Sequence, residues 1–219
     1  MKKALVAALF AATAFTATHA SAASVTLTTI ADGDVQTVGG NDVDTAGTIL
    51  AITQSGGLIR NGIFEFDLSS IADTATINSV SLTYTNTRFV SNTGNNPASV
   101  QLYTYPGDGA VTIADYAASA NQVVNATVPK GGLAGDTETF AFSSVADVQS
   151  ALAANLLTVR METDNFASFQ IASLENTDYA AASLTIDYTT PTPAVPLPAG
   201  LPLLAGGLGA FAWLRRRKG

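Results

Sequence analysis

Along the middle of the chain apolar and polar residues alternate with a period of two, the spacing of strands with one buried and one wet face. Phe64, Phe66 and Leu68 alternate with Ile63, Glu65 and Asp67, and Val80, Leu82 and Tyr84 with Ser81, Thr83 and Thr85. The same beat returns where Leu157, Val159 and Met161 alternate with Thr158, Arg160 and Glu162, and Leu184, Ile186 and Tyr188 with Thr185, Asp187 and Thr189. Thr, Ser and Val are abundant in these runs, and β-branched side chains in particular fit a pleated, half-buried surface. Further strands are expected over residues 25–30, 48–53, 100–105, 122–128, 137–142 and 169–174.

Turn signals separate the runs: Ala31-Asp-Gly-Asp, Gly39-Gly-Asn-Asp, Ser55-Gly-Gly, Ser91-Asn-Thr-Gly-Asn-Asn-Pro, Pro106-Gly-Asp-Gly and Lys130-Gly-Gly. About ten short strands divided by such loops predict an all-β fold, an antiparallel β-sandwich of jelly-roll type. Residues 112–120 and 144–155 break the beat. Both are alanine-rich with helical spacing and are expected as short helices closing the sandwich, the second with a serine at its start to cap it.

The two ends depart from this pattern. Lys2 and Lys3 precede an apolar stretch from Ala4 to Ala17, and Ala20-Ser21-Ala22 fits the small-residue cleavage preference of a secretory leader. Residues 1–22 are therefore expected to be a signal peptide, cut after Ala22 with Ala20 and Ala22 as the recognition positions. At the other end, Val195 to Leu214 is an uncharged run of 20 residues, near the ~20 needed to cross a bilayer. Pro196, Pro198 and Pro202 restrict its first third, so the helix is expected over 202–214, with Pro202 at its first position. The basic tail Arg215, Arg216, Arg217 and Lys218 then stays on the cytoplasmic side. Between the ends lie a β-sandwich domain over 23–188 and a Thr/Pro linker over 189–194.

Val195-Pro196-Leu197-Pro198-Ala199, the Gly- and Leu-rich helix and the Arg-Arg-Arg-Lys terminus resemble the VPLPA variant of the PEP-CTERM sorting signals of Gram-negative bacteria. That resemblance implies processing near the motif by a membrane-embedded exosortase. Export would begin at the secretory translocon, pass through transient anchoring in the inner membrane, and end at the cell surface or in the extracellular matrix.

Removing the ends changes the charge. Six of the ten basic residues lie in them and all seventeen acidic residues lie in the body, which leaves four against seventeen, a balance of −13. Nucleic acid is a poor partner for such a surface. The chain has no Cys, and its one histidine, His19, falls in the leader. A Ser-His-Asp triad, a cysteine nucleophile, an ordinary zinc site and haem or iron–sulfur ligation are thereby excluded from the product.

Several motifs of the body resemble secreted DNRLRE-type modules: Phe64-Glu-Phe-Asp-Leu-Ser-Ser-Ile, Ala75-Thr-Ile-Asn-Ser-Val-Ser-Leu-Thr-Tyr, Val100-Gln-Leu-Tyr-Thr-Tyr, Phe169-Gln-Ile-Ala-Ser-Leu-Glu-Asn and Ala182-Ser-Leu-Thr-Ile-Asp-Tyr. Those modules are similar to carbohydrate-binding jelly rolls, so the resemblance implies an extracellular polysaccharide as partner. Ala181-Ala182-Ser183 stands where such modules carry Pro-Arg, so no ligand role transfers to that position.

Candidate chemistry is sparse. Tyr103 and Tyr105 share one strand face, with Tyr116 close after them; exposed aromatic faces are what a sugar stacks on, and packing under a neighbouring strand or helix is the alternative. The only tryptophan, Trp213, lies in the tail. Asp32, Asp34, Asp42 and Asp44 offer hard oxygen ligands for a structural calcium if their loops converge, though without the spacing of an EF-hand; a solvated acidic loop is the alternative. No other cofactor is implied. Glu65, Asp67, Glu162, Asp164, Glu175 and Asp187 are the carboxylates from which a glycosidase pair would be drawn, but outward alternation accounts for them without chemistry. Arg60, Arg88, Lys130 and Arg160 are too few and scattered for a phosphate or nucleic-acid site and are expected to pair with neighbouring acids. The leading expectation is a non-catalytic exported surface or matrix protein that binds polysaccharide. The alternatives are a carboxylate-dependent polysaccharide lyase or hydrolase and a purely structural component of the exopolysaccharide layer.

Overall fold

The computed structural model describes residues 20–37, 40–55, 57–92, 98–128, 133–164 and 167–191, with Arg216. The chain divides into two compact units, Ser21–Thr190 and a second formed by Met1–Ala20 with Pro191–Gly219. The VPLPA motif, the helix expected over 202–214 and nearly all of the leader lie outside the described residues. Among the described residues no helix is long and apolar enough to cross a membrane.

Ser21–Thr190 is all-β. Its strands are β1 (Ala20–Thr28), β2 (Ala31–Gln36), β3 (Asp42–Asp44), β4 (Ile49–Ser55), β5 (Leu58–Asp67), β6 (Thr76–Asn92), β7 (Ala98–Pro106), β8 (Asn121–Val128), β9 (Thr137–Ala141), β10 (Leu156–Glu162), β11 (Ala167–Ala172) and β12 (Ser183–Pro191). They form a curled sheet in the order β1-β12-β6-β11-β4-β5-β10-β7-β8, with β9 on β6 and β2, carrying β3, on β5. Both long-range and hairpin pairings run antiparallel. The long strand β6 starts the curl. Its first half pairs with β12 and β9 and its second half with β11, where the register slips at Ser168/Phe169 and Gln170/Ile171. An extra residue on one strand bends and twists it, so the sheet closes over one apolar core in the manner of a sandwich.

The alternation dictates that core. Phe64 and Phe66 of β5, Leu157, Val159 and Met161 of β10, and Val100 and Leu102 of β7 share one cluster with Leu50 and Ile52 of β4, Leu82 and Tyr84 of β6, Phe169 and Ile171 of β11, and Leu184 and Ile186 of β12. Tyr84 stacks between Phe140, at 5.9 Å between ring centroids, and Phe169, at 6.2 Å. One helical turn, α1 (Ala146–Ala151), buries Val148 and Ala151 against the cluster. Its Gln149 receives the N–H of Ile77 at 2.9 Å and donates to the carbonyl of Ala75 at 2.9 Å, which fixes the start of β6.

The structure departs from the sequence expectations in several places, among them β6, which runs through Ser91 and Asn92 of an expected turn, and β3, which starts at Asp42 of another. Ala31-Asp-Gly-Asp is a strand rather than a turn, because its two carboxylates point inward and find backbone donors there, as described below. Gly33 permits this: a Cβ at that position would sit 2.7 Å from the carbonyl oxygen of Asp44. The segment 112–120 forms only a 3₁₀ turn over Ile113–Ala117, and 144–155 is helical only over α1. The N-cap of α1 is Val145, without a side-chain cap, and Ser144 one residue earlier receives the N–H of Ala146 at 3.3 Å. Finally β12 runs through Thr189 and Thr190 to Pro191, so half of the expected linker is strand.

Candidate functional site

The outer face of β5, β10 and β7 carries the most concentrated polar chemistry. Register places Glu65 beside Thr158 and Thr158 beside Tyr105 in one row, Ile63, Arg160 and Tyr103 in the next, and Glu162 beside Gln101 in a third. Such a face ordinarily meets water. Here the segment between Pro106 and Ala120 roofs the first row. Gly109 donates its N–H to Glu65 Oε2 at 3.2 Å, and the Thr158 hydroxyl donates to Glu65 Oε1. Only glycine fits at 107, since a Cβ would lie 2.5 Å from Glu65 Oε2. Asp115 accepts the Tyr105 hydroxyl at 3.0 Å and the Thr112 N–H at 2.7 Å, and Arg160 Nη1 donates to the carbonyls of Asp115 and Ala118 at 3.0 and 2.9 Å. Arg160 thus pins the roof.

Burial sets the charges under it. Glu65 is 0% exposed, and burial pushes its carboxyl up to about 7 against the lowering effect of its two hydrogen bonds. Asp108 and Asp115 add to the rise. Tyr105, 6% exposed, is held well above the usual phenol range by burial and by Asp115.

Beyond the roof the face opens. Arg160 lies over the Tyr103 ring at 5.2 Å and the Tyr105 ring at 5.8 Å, and its Nε donates to Glu162 Oε1 at 2.7 Å. Gln122 donates to the Tyr103 hydroxyl at 3.2 Å, that hydroxyl to Gln101 Oε1 at 2.8 Å, and Gln101 Nε2 to Asp164 Oδ2 at 3.0 Å. Each side chain orients the next. Among the described residues Asp164 Oδ1 is sealed from solvent without a donor. Burial raises the Tyr103 phenol, with Glu162 and Asp164 adding to the rise and Arg160 opposing it. A half-buried ring braced by a guanidinium and rimmed by amides and carboxylates offers an apolar surface with oriented polar groups at its edge, the combination that a polyhydroxylated ring requires.

Tyr103 and Tyr105 do share a face, as their spacing implies, but Tyr105 is buried and only Tyr103 remains half open. Tyr116 is half-buried on the 3₁₀ turn. Gln101 and Gln122 carry no sequence signal of their own. Arg160 meets the expectation of pairing with an acid, and its place between two tyrosine rings follows from the β10–β7 register.

The four aspartates considered for calcium serve separate tasks. Asp34 accepts the Ala51 N–H at 2.9 Å and pairs with Arg60 at 3.0 Å, whose Nη2 lies 3.4 Å from Asp42. Asp44 Oδ1 receives the N–H groups of Ala46 and Gly47, at 3.1 and 3.0 Å. Asp32 Oδ2 receives the Leu174 N–H at 3.0 Å, and burial pushes this carboxyl up to about 7. Among the described residues no group of three His, Cys, Asp or Glu side chains suits a metal ion. Of the carboxylates considered for hydrolysis, Glu65 is sealed while its strand neighbour Asp67 is exposed and holds the Ser69 N–H at 2.8 Å.

At the β1–β12 edge an open hollow of 340 Å³ is lined by Ala22, Ala23, Ser24, Asn78, Asp187 and Tyr188. Asp187 there accepts the Ser79 hydroxyl at 2.7 Å. Together with the Thr26–Thr185 pair at 3.0 Å, this lining sets the beginning of β1 beside the end of β12. No family model matches the chain, and no curated protein matches it.

Proposed function

We propose that Ser21–Thr190 is a non-catalytic polysaccharide-binding domain of jelly-roll type, and that the open part of the β7–β10 face is where the saccharide docks. The observation that carries this reading is the half-open Tyr103 ring, braced by Arg160 and ringed by Gln101, Gln122, Glu162 and Asp164. Binding is the better reading than hydrolysis because Glu65, whose raised pKa would suit a general acid, lies under Gly107 and Gly109 where a glycan has no access. Export belongs to the same proposal: leader removal after Ala22, an exosortase acting near Val195–Ala199, and delivery to the cell surface or matrix.

A glycan array probed with the domain and with Tyr103→Ala tests the reading. The unit has its own closed core, so it is expressed alone, and circular dichroism checks that the variant is folded. Binding by the parent and a loss of at least about tenfold in the variant, ~1.4 kcal/mol, is the expected result. Equal binding by both proteins would remove the site.

A further inference from the structure

We infer that the Tyr103 face discriminates by charge, taking amine-bearing polysaccharides in preference to neutral ones and neutral ones in preference to uronic-acid polymers; this rests on the saccharide reading above. The guanidinium of Arg160 is the sole cation there among the described residues, and it is already committed. Its Nε is held by Glu162 and its Nη1 by the carbonyls of Asp115 and Ala118. It braces the ring and the roof instead of presenting a free positive charge. Two carboxylates remain beside the open ring, Glu162 and Asp164. Register sets Glu162 opposite Gln101, and Gln101 links the Tyr103 hydroxyl to Asp164.

The hydrogen bonds have a direction as well. From Gln122 through Tyr103 and Gln101 every donor points along the row until it ends on Asp164 Oδ2; the other oxygen of that carboxylate is sealed from solvent, so the carboxylate open to a ligand is the half-exposed Glu162. A ligand that donates therefore gains most, and a protonated amine donates more strongly than a hydroxyl. A uronate meets the opposite situation. It brings acceptors to a row that ends in acceptors, and a negative charge to a face where Glu162, Asp164 and Arg160 together sum to one negative charge. Bringing like charges together at a partly desolvated site costs affinity.

The test uses three oligosaccharides of one β-1,4-linked glucose backbone that differ in charge alone: the neutral glucan, its 2-amino form and its 6-carboxylate form. Titration calorimetry at physiological ionic strength screens charges beyond about 8 Å, so the bulk charge of the domain contributes little. The amine form is expected to bind about tenfold more tightly than the neutral form, and the carboxylate form at least tenfold more weakly. Asp164→Asn and Glu162→Gln keep the size and one accepting oxygen of each side chain and are expected to remove most of the amine advantage, read in each variant as the ratio of its amine to its neutral affinity. Asp73→Asn, in the turn before β6, is expected to change none of the three.

Any other order of affinities overturns the charge rule but leaves the saccharide reading standing. So does an amine advantage that falls equally in Asp73→Asn and Asp164→Asn, which would assign it to net charge. Failure of all three oligosaccharides to bind while the array is also blank overturns the saccharide reading itself.

Discussion

Replacing Glu65 with glutamine is expected to leave stability unchanged at pH 4 and to raise it markedly at pH 8. The carboxyl titrates near 4.5 when free and is pushed up to about 7 in the folded domain. The native state therefore binds this proton more tightly than the unfolded chain does. Below pH 4.5 both states carry it and the full stability is present; as pH rises toward 7 the native state must hold a charge under its roof, and stability falls. A shift of that size is on the order of 3 kcal/mol, or roughly 6–12 °C in Tm for a domain of this length. Glutamine keeps the acceptor for Gly109 and supplies a donor to the Thr158 hydroxyl, and it never ionises. Asp32, also pushed up to about 7 and 3% exposed, contributes a second fall of the same sign. Thermal melts of the parent, Glu65→Gln and Asp32→Asn/Glu65→Gln between pH 4 and 8 check this: the slope should shrink in the single variant and shrink further in the double, leaving the part due to Asp34, which burial also raises. A parent whose stability rises from pH 4 to 8 would refute the buried acids as described.

Phe169→Ala is expected to be the most destabilising single truncation in the core. The ring is fully buried at the centre of β11 and stacks on Tyr84, itself 0% exposed and stacked on Phe140. Removing a buried phenylalanine forfeits its transfer energy and leaves a cavity, typically about 3–5 kcal/mol. The Tyr84 ring also loses one of its two stacking partners. A urea melt should show the midpoint fall with little change in slope. A loss below about 1 kcal/mol would mean that β11 does not close the core as described.

Period-two alternation marks the strands because the pleat sends neighbouring side chains to opposite faces, and Phe64, Val159 and Leu184 all enter the core on that rule. It fails at β2. Asp-Gly-Asp has the composition of a turn, and nothing local shows that Ala51 and Leu174, distant in sequence, will present N–H groups to those carboxylates. The alanine-rich stretch 112–120 fails for the same kind of reason: Asp115 and Arg160 hold it as a roof, and those tertiary bonds outweigh its helical propensity. The site shows both sides of this. The shared face of Tyr103 and Tyr105 is written in their spacing, whereas burial of one and exposure of the other depends on a roof that chain order does not reveal. Glu65 looks like an outward residue of β5 for the same reason, and is sealed.

The proposed polysaccharide-binding face is tested most directly by mapping it. Backbone and tyrosine-ring NMR shifts of the labelled domain, followed during titration with an oligosaccharide that the array identifies, would locate the contact residue by residue. Shifts centred on Tyr103, Gln101, Gln122, Glu162 and Asp164, with Asn78 and Asp187 at the far edge unmoved, are predicted. Shifts confined to the β1–β12 edge, or an unmoved Tyr103 ring at saturation, would contradict the assignment of this face.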